Sequence, residues 1–286
     1  MQTAKQKLKR AAPWLFLLLV LAGLAAVRGL AANYEIGYEI MNGDFQNYNP
    51  VRHLLAGQVP YRDFTVYLGA GELYSVGGLL LVLGNSFGRS MFATNFCTWF
   101  YFELLVLAVC LVVIGTARAA RAAALALCSV FFAYVQGANL PFAGQVNTLL
   151  SYAAANGNSA RMMRSAALTL AVLVILQGLH FWQQDTSRRL LAPAVLVPFA
   201  AGFFVPWSND MGGAAYISIA LGYGLYLIRL YRSSIGKIVV QTLRYIVTSV
   251  VGLDVSVLLI SWGHPLAWLR QTRGTSAYQT WYYGNT

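Results

Sequence analysis

Charge is the scarcest property of this sequence. Of its 286 residues 10% are charged, against about 25% for an average soluble domain. Acids are rarest, with 9 Asp and Glu against 20 Lys and Arg. Ordinary soluble composition is therefore excluded. Cysteine is scarce too. Cys97, Cys110 and Cys128 all lie in apolar runs without metal-ligand spacing, so neither a disulfide framework nor a zinc site is expected. Only three histidines are present, and no internal repeat or low-complexity linker marks a second domain. The net charge of +11 does not point to nucleic acid. The cations sit in short clusters between apolar runs, where membrane topology uses them, and no solvated basic face appears.

What is present is apolar sequence: 58% of residues are hydrophobic and the mean hydropathy is +0.58. The expected fold is all-α, a polytopic transmembrane helix bundle of about eight to ten spans, forming one integral membrane domain over 1–286. Candidate spans are 13–32, 69–84, 91–114, 122–137, 140–155, 165–182, 190–207, 211–230 and 238–262. The stretch 137–155, interrupted by Pro141, Gln145 and Asn147, reads alternatively as re-entrant or interfacial. Lys5, Lys7, Lys9 and Arg10 precede the first apolar run, which resembles a signal peptide. An uncleaved signal anchor is expected, with 1–12 cytoplasmic. Nine spans then put Arg188, Arg189, Arg229, Arg232 and Lys237 inside. Arg118, Arg121, Arg161 and Arg164 fall outside, against the positive-inside rule. Three segments fall on the outer side: loop 33–68, corner 206–212 and tail 263–286.

"GDFQNYNPVRHLLAGQVPYRDF" (43–64) is the most polar stretch in the chain. "NPVRHLLAGQ" (49–58) predicts a short helix started near Asn49 and stopped by Gly57. Val51, Leu54 and Leu55 share one face, expected to lie down on the membrane interface. "GQVPYRDF" then turns through Pro60 into the next span.

Asp44, Leu54–Gly57 and "PYRDF" (60–64) resemble the first outer loop of the GT-C superfamily of membrane glycosyltransferases. The likeness is to bacterial mannosyl- and aminoarabinose-transferase-like members. "FFVPWSNDMGGAAY" (203–216) and "GHPLAWLRQTRGTSAYQTWYYG" (263–284) resemble later outer segments of the same family. "LGAGE" (68–72) departs from it where relatives carry Gly-Pro or Pro-Pro. The resemblance implies an inverting transfer of a sugar from a polyprenyl-phosphate carrier to a lipid or glycan acceptor at the outer face of a bacterial inner membrane. It implies an acid in the first outer loop as general base, and basic residues on the phosphate leaving group.

The residues suit those roles. Asp44 is the first candidate base, against a helix cap or solvated loop acid. Asp63 is the second, against a structural pair with Arg62. Arg52, Arg62, Arg270 and Arg273 are candidate phosphate ligands, against anchors for lipid headgroups. His53 and His264 are candidate phosphate or acceptor contacts, while His180 reads as interfacial. Glu72 is a candidate cavity residue. Asp210 reads equally as a polar corner of the site and as turn chemistry in "SND" (208–210). No cofactor is expected, and no metal beyond a divalent cation between Asp44 and Asp210.

Two readings compete. Glu103 and Asp254 fall within spans, where ionisable residues are costly. With the interrupted segment 137–155 they would suit a transporter or flippase of a lipid-linked or small polar substrate. Members of the GT-C superfamily that the chain resembles usually carry more spans and often a soluble outer domain. The chain is therefore expected to be a truncated member, a fragment or a compact variant, and a non-catalytic partner in envelope polysaccharide assembly is the third reading.

Overall fold

The computed structural model describes residues 4–32, 41–114, 118–134, 191–209 and 211–284. Among the described residues there are nine α-helices and no strand. They are α1 (Ala4–Ala32), α2 (Met41–Leu55), α3 (Ala70–Leu83), α4 (Phe87–Ile114), α5 (Ala119–Tyr134), α6 (Leu191–Phe203), α7 (Gly212–Tyr231), α8 (Ile235–Ile260) and α9 (Pro265–Gly284). Three described stretches are long and apolar enough to cross a membrane: Phe87–Leu111 within α4, all of α7 and all of α8. Other apolar helical stretches, such as Ala12–Val27 and Val195–Trp207, are shorter.

Two expectations need correction. The span expected at 69–84 is a helix of 14 residues, which reaches about 21 Å, short of the ~30 Å hydrocarbon core. The helix expected to begin near Asn49 begins at Met41 and carries Pro50 inside it. Candidate spans 140–155 and 165–182 lie outside the described residues, as does His180.

The described residues divide into two compact units. One takes in residues up to Tyr48 and those from Gly78 through α5; the other takes in Asn49–Gly77 and everything described from α6 onward.

The first unit is built on α1, α4 and α5. Leu17, Leu21, Ala25 and Gly29 recur every four residues, which places them on one helix face. Leu17 and Leu21 pack with Leu107 and Cys110 of α4 and with Ala122 and Ala126 of α5. Ala25 packs on Trp99, and Gly29 sits against Phe92. Numbers rise along α1 as they fall along α4, so the two helices run antiparallel. Two polar residues of α4 bond back into the helix: Asn95 Nδ2 donates to Met91 O at 2.9 Å and Thr98 Oγ1 to Thr94 O at 2.8 Å, the back-bonding open to such side chains within a helix.

The second unit is built on α6, α7 and α8. Gly202 of α6 lies against the Ser249 carbonyl of α8, and Gly252 of α8 against the Phe199 carbonyl of α6. This reciprocal contact leaves no room for a side chain, the packing that small residues allow in apolar surroundings. Val197 and Ala201 pack with Ile219, Tyr223 and Leu227 of α7 and Tyr245 of α8. The hydroxyls of Tyr216 and Ser249 meet at 3.0 Å. Outward residues of α7 and α8, among them Leu221, Leu225, Val240 and Val247, are exposed, as a lipid-facing surface requires.

Candidate functional site

The polar loop after α2 belongs wholly to the second unit, and local rules explain its start. Gly57 has φ +79°. Gly57 N–H donates to Leu54 O at 3.0 Å, and Gln58 N–H donates to His53 O at 3.1 Å. These two bonds make a Schellman stop, with glycine in the left-handed position. The His53 side chain reinforces the stop. Its Nδ1 meets Gln58 Oε1, and its ring stacks on Phe64 at 5.4 Å between centroids. Val51 is fully buried, and with Leu54 it lies over Gly77 of α3. The apolar face expected to meet the membrane interface therefore packs on α3 instead, because Gly77 offers a groove where a side chain would stand.

Residues 59–64 form a tight turn around Asp63. Asp63 N–H donates to Val59 O at 2.9 Å, and Val59 N–H donates to Asp63 Oδ2 at 2.8 Å. Arg62 closes on the same carboxylate with two bonds, Nε to Oδ1 at 2.8 Å and Nη2 to Oδ2 at 3.0 Å. The Arg62 guanidinium, followed by the Val59 amide, holds the Asp63 carboxyl down at about 2. Donors that favour the charged form lower a carboxyl pKa in this way.

The third nitrogen of Arg62 reaches the tail: Nη1 lies 3.2 Å from His264 Nε2. A guanidinium only donates, so Nε2 is the acceptor in this contact. The corner before α7 and the start of α9 hold the rest of the loop. Asn209 Nδ2 donates to Tyr67 O at 2.6 Å and to Val66 O at 3.2 Å. Gln271 Nε2 donates to Val66 O at 3.1 Å. Gly69, with φ +108°, lies directly on the backbone of Trp207 and Ser208. Segments 142, 202 and 205 residues apart thus meet on one loop.

Two residues strain to make this meeting. Tyr61 (φ +67°) and Trp262 (φ +49°) are the non-glycine residues with positive φ among those described, a conformation that costs an L-residue about 1–2 kcal/mol. Tyr61 immediately precedes Arg62, and Trp262 stands two residues before His264. Trp262 also occupies the left-handed position of a Schellman stop to α8, with Trp262 N–H to Leu259 O and Gly263 N–H to Leu258 O. Its side chain lies beside Tyr74, whose hydroxyl donates to Ile260 O at 2.8 Å. The Tyr61 ring is buried. Burial, and then Tyr74, push its phenol well above the ordinary value, and its hydroxyl has no partner among the described residues. Strain of this kind collects at functional sites.

The sequence-derived candidates fall as follows. Arg62, Asp63 and His264 come together. Arg52, exposed on α2, donates through Nε to Asn49 Oδ1 at 2.9 Å, and His53 serves the loop's start. Glu72 is buried in the first turn of α3, where a helix dipole favours an acid. Arg270 and Arg273 are exposed on α9. Asp44 lies in the first turn of α2; its side chain, and Asp210 altogether, lie outside the described residues. Glu103 is buried in α4 and Asp254 is exposed on α8. Among the described residues no group of three or more His, Cys, Asp or Glu could hold a metal ion. Gln271, Tyr74 and Trp262 carry no site role in the sequence, and Asn209 and Tyr61 enter it only as members of "SND" (208–210) and "PYRDF" (60–64). No family model, curated protein or solved structure matches the chain.

Proposed function

We propose that the protein is a multi-pass inner-membrane glycosyltransferase of the GT-C type, with its N-terminus cytoplasmic. It moves a sugar from a polyprenyl-phosphate carrier to a lipid or glycan acceptor at the outer face. The observation that carries this reading is the meeting of loop 57–69, the corner at Asn209 and the start of the tail at His264 and Gln271. An enzyme working on a lipid-borne substrate needs its polar groups collected at one end of an otherwise apolar body. A transporter would spread them through membrane depth.

In this mechanism the Asp44 carboxylate takes the proton of the acceptor hydroxyl. The acceptor oxygen attacks the anomeric carbon from the face opposite the phosphate. The bond from that carbon to the phosphate oxygen breaks, and the electron pair leaves with polyprenyl phosphate, so the configuration inverts. Arg62, His264 and Arg270 supply the donors and charge that stabilise the departing phosphate. Asp63, with both carboxylate oxygens bonded to the Arg62 guanidinium, takes the structural place rather than that of base. It orients Arg62 instead.

The test is turnover of a panel of polyprenyl-phosphate sugars by the full chain in proteoliposomes, wild type against Asp44→Asn, with both checked for folding by thermal melting. Release of polyprenyl phosphate by wild type and its loss in the variant is expected, a drop of roughly 10²–10⁴-fold for a removed general base. Turnover that survives the substitution removes Asp44 from the mechanism. No turnover of any donor by the folded protein refutes the transferase reading.

A further inference from the structure

The turn between α7 and α8 carries an uncompensated positive charge. Arg229 closes α7, Arg232 lies in the turn, and Lys237 stands in the first turn of α8; all three are exposed. No Asp or Glu occurs between Met211 and Leu253. Lys237 also sits at the positive pole of the α8 dipole, where an acid would normally stand. Its ammonium lies 5.9 Å from the centroid of the Tyr231 ring, which holds it over the turn. Apolar side chains come right up to these cations: Leu230 is 48% exposed, Ile235 77% and Val239 51%. A surface with greasy flanks and a cationic rim fits a molecule with an acyl body and an anionic head.

We infer that the α7–α8 turn is a docking surface for anionic phospholipid headgroups, with Arg229, Arg232 and Lys237 on the phosphate and Leu230 and Ile235 against the first acyl carbons. The inference rests on α7 and α8 crossing the bilayer, as their length and composition allow, and not on the transferase reading. A basic residue near an anionic surface strengthens binding about fivefold, so the three together are worth on the order of a hundredfold.

The experiment is lipid retention. The full chain is released from nanodiscs of equal phosphatidylglycerol and phosphatidylcholine, and retained lipids are counted by native mass spectrometry. Wild type should keep phosphatidylglycerol selectively. Arg229→Gln/Arg232→Gln/Lys237→Gln should lose the selectivity, while Arg229→Lys/Arg232→Lys, which keeps the charge, should preserve it. Arg118→Gln/Arg121→Gln, removing two exposed arginines at the start of α5, should also preserve it. Unchanged selectivity in the triple variant overturns the inference. So does an equal loss in the α5 control, which would make the preference a net-charge effect.

Discussion

Gly69 offers the sharpest check on whether the polar loop is truly locked to the corner before α7. Gly57 and Gly69 both hold positive φ, +79° and +108°, so alanine at either pays roughly 1–2 kcal/mol in backbone strain. At Gly57 an added Cβ meets nothing within 4 Å, and that strain is the whole cost. At Gly69 the Cβ would come 2.7 Å from Ser208 Cα and from Trp207 O, and 2.9 Å from Ser208 N. These are backbone atoms that cannot rotate away, and overpacking of this kind adds about 1–3 kcal/mol. Gly57→Ala should therefore destabilise by about 1–2 kcal/mol and Gly69→Ala by about 2–5 kcal/mol. The assay is equilibrium unfolding in detergent, with amide exchange at Val66–Leu68 reporting whether the loop has left the corner. Equal destabilisation by the two variants, with exchange unchanged, would refute the junction.

Two further outcomes follow from the packing and the ion pair. Gly202→Ala and Gly252→Ala should destabilise by about 1–3 kcal/mol, since each Cβ would enter the facing helix's backbone. Gly224→Ala, with nothing within 4 Å, should stabilise by about 0.5–1 kcal/mol; unfolding curves of the same sign for all three would mean α6 and α8 are not in backbone contact. The Asp63 carboxyl is lowered from 3.8 to about 2, so its support of the turn is complete above the ordinary value and is lost as pH falls from about 4 towards 2. The chemical shift of the Val59 amide should titrate in that window, and Arg62→Gln should move the midpoint up towards 3.8; a wild-type midpoint already near the ordinary value would refute the pairing.

The long apolar helices were legible because hydrophobic length alone specifies them. The stretches 91–114, 211–230 and 238–262 correspond to Phe87–Ile114, Gly212–Tyr231 and Ile235–Ile260. α2 was legible in its end and not in its start. Gly57 is an unambiguous stop, but Pro50 reads as a first-turn residue, whereas the helix runs through it from Met41. The direction of its apolar face was hidden for another reason. Periodicity groups Val51 with Leu54 and Leu55 but cannot distinguish a lipid surface from a helix with a glycine groove, and Gly77 lies 26 positions downstream of Val51.

The site divides along the same line. Arg62, Asp63 and His264 stood out because charge is rare here. Asn209 and Gln271 did not, because they bond the main-chain carbonyls of Val66 and Tyr67, and a carbonyl leaves no mark in a sequence. Trp262 shows how such a partner is concealed. The left-handed stop of α8 favours glycine, and a glycine is present one residue late, at Gly263. A tryptophan takes the strained place with its side chain beside Tyr74, whose hydroxyl holds Ile260 O. Glycine at 262 would relax the backbone and lose that contact together. The local rule and the tertiary contact therefore oppose each other at this residue, and the contact wins. Two positions on, His264 meets Arg62 from a loop that has accepted the same strain at Tyr61. At both left-handed positions a side-chain contact outweighs the backbone cost: Trp262 lies beside Tyr74, and the Tyr61 ring is buried. Both contacts thereby fix the backbone next to the Arg62–His264 pair.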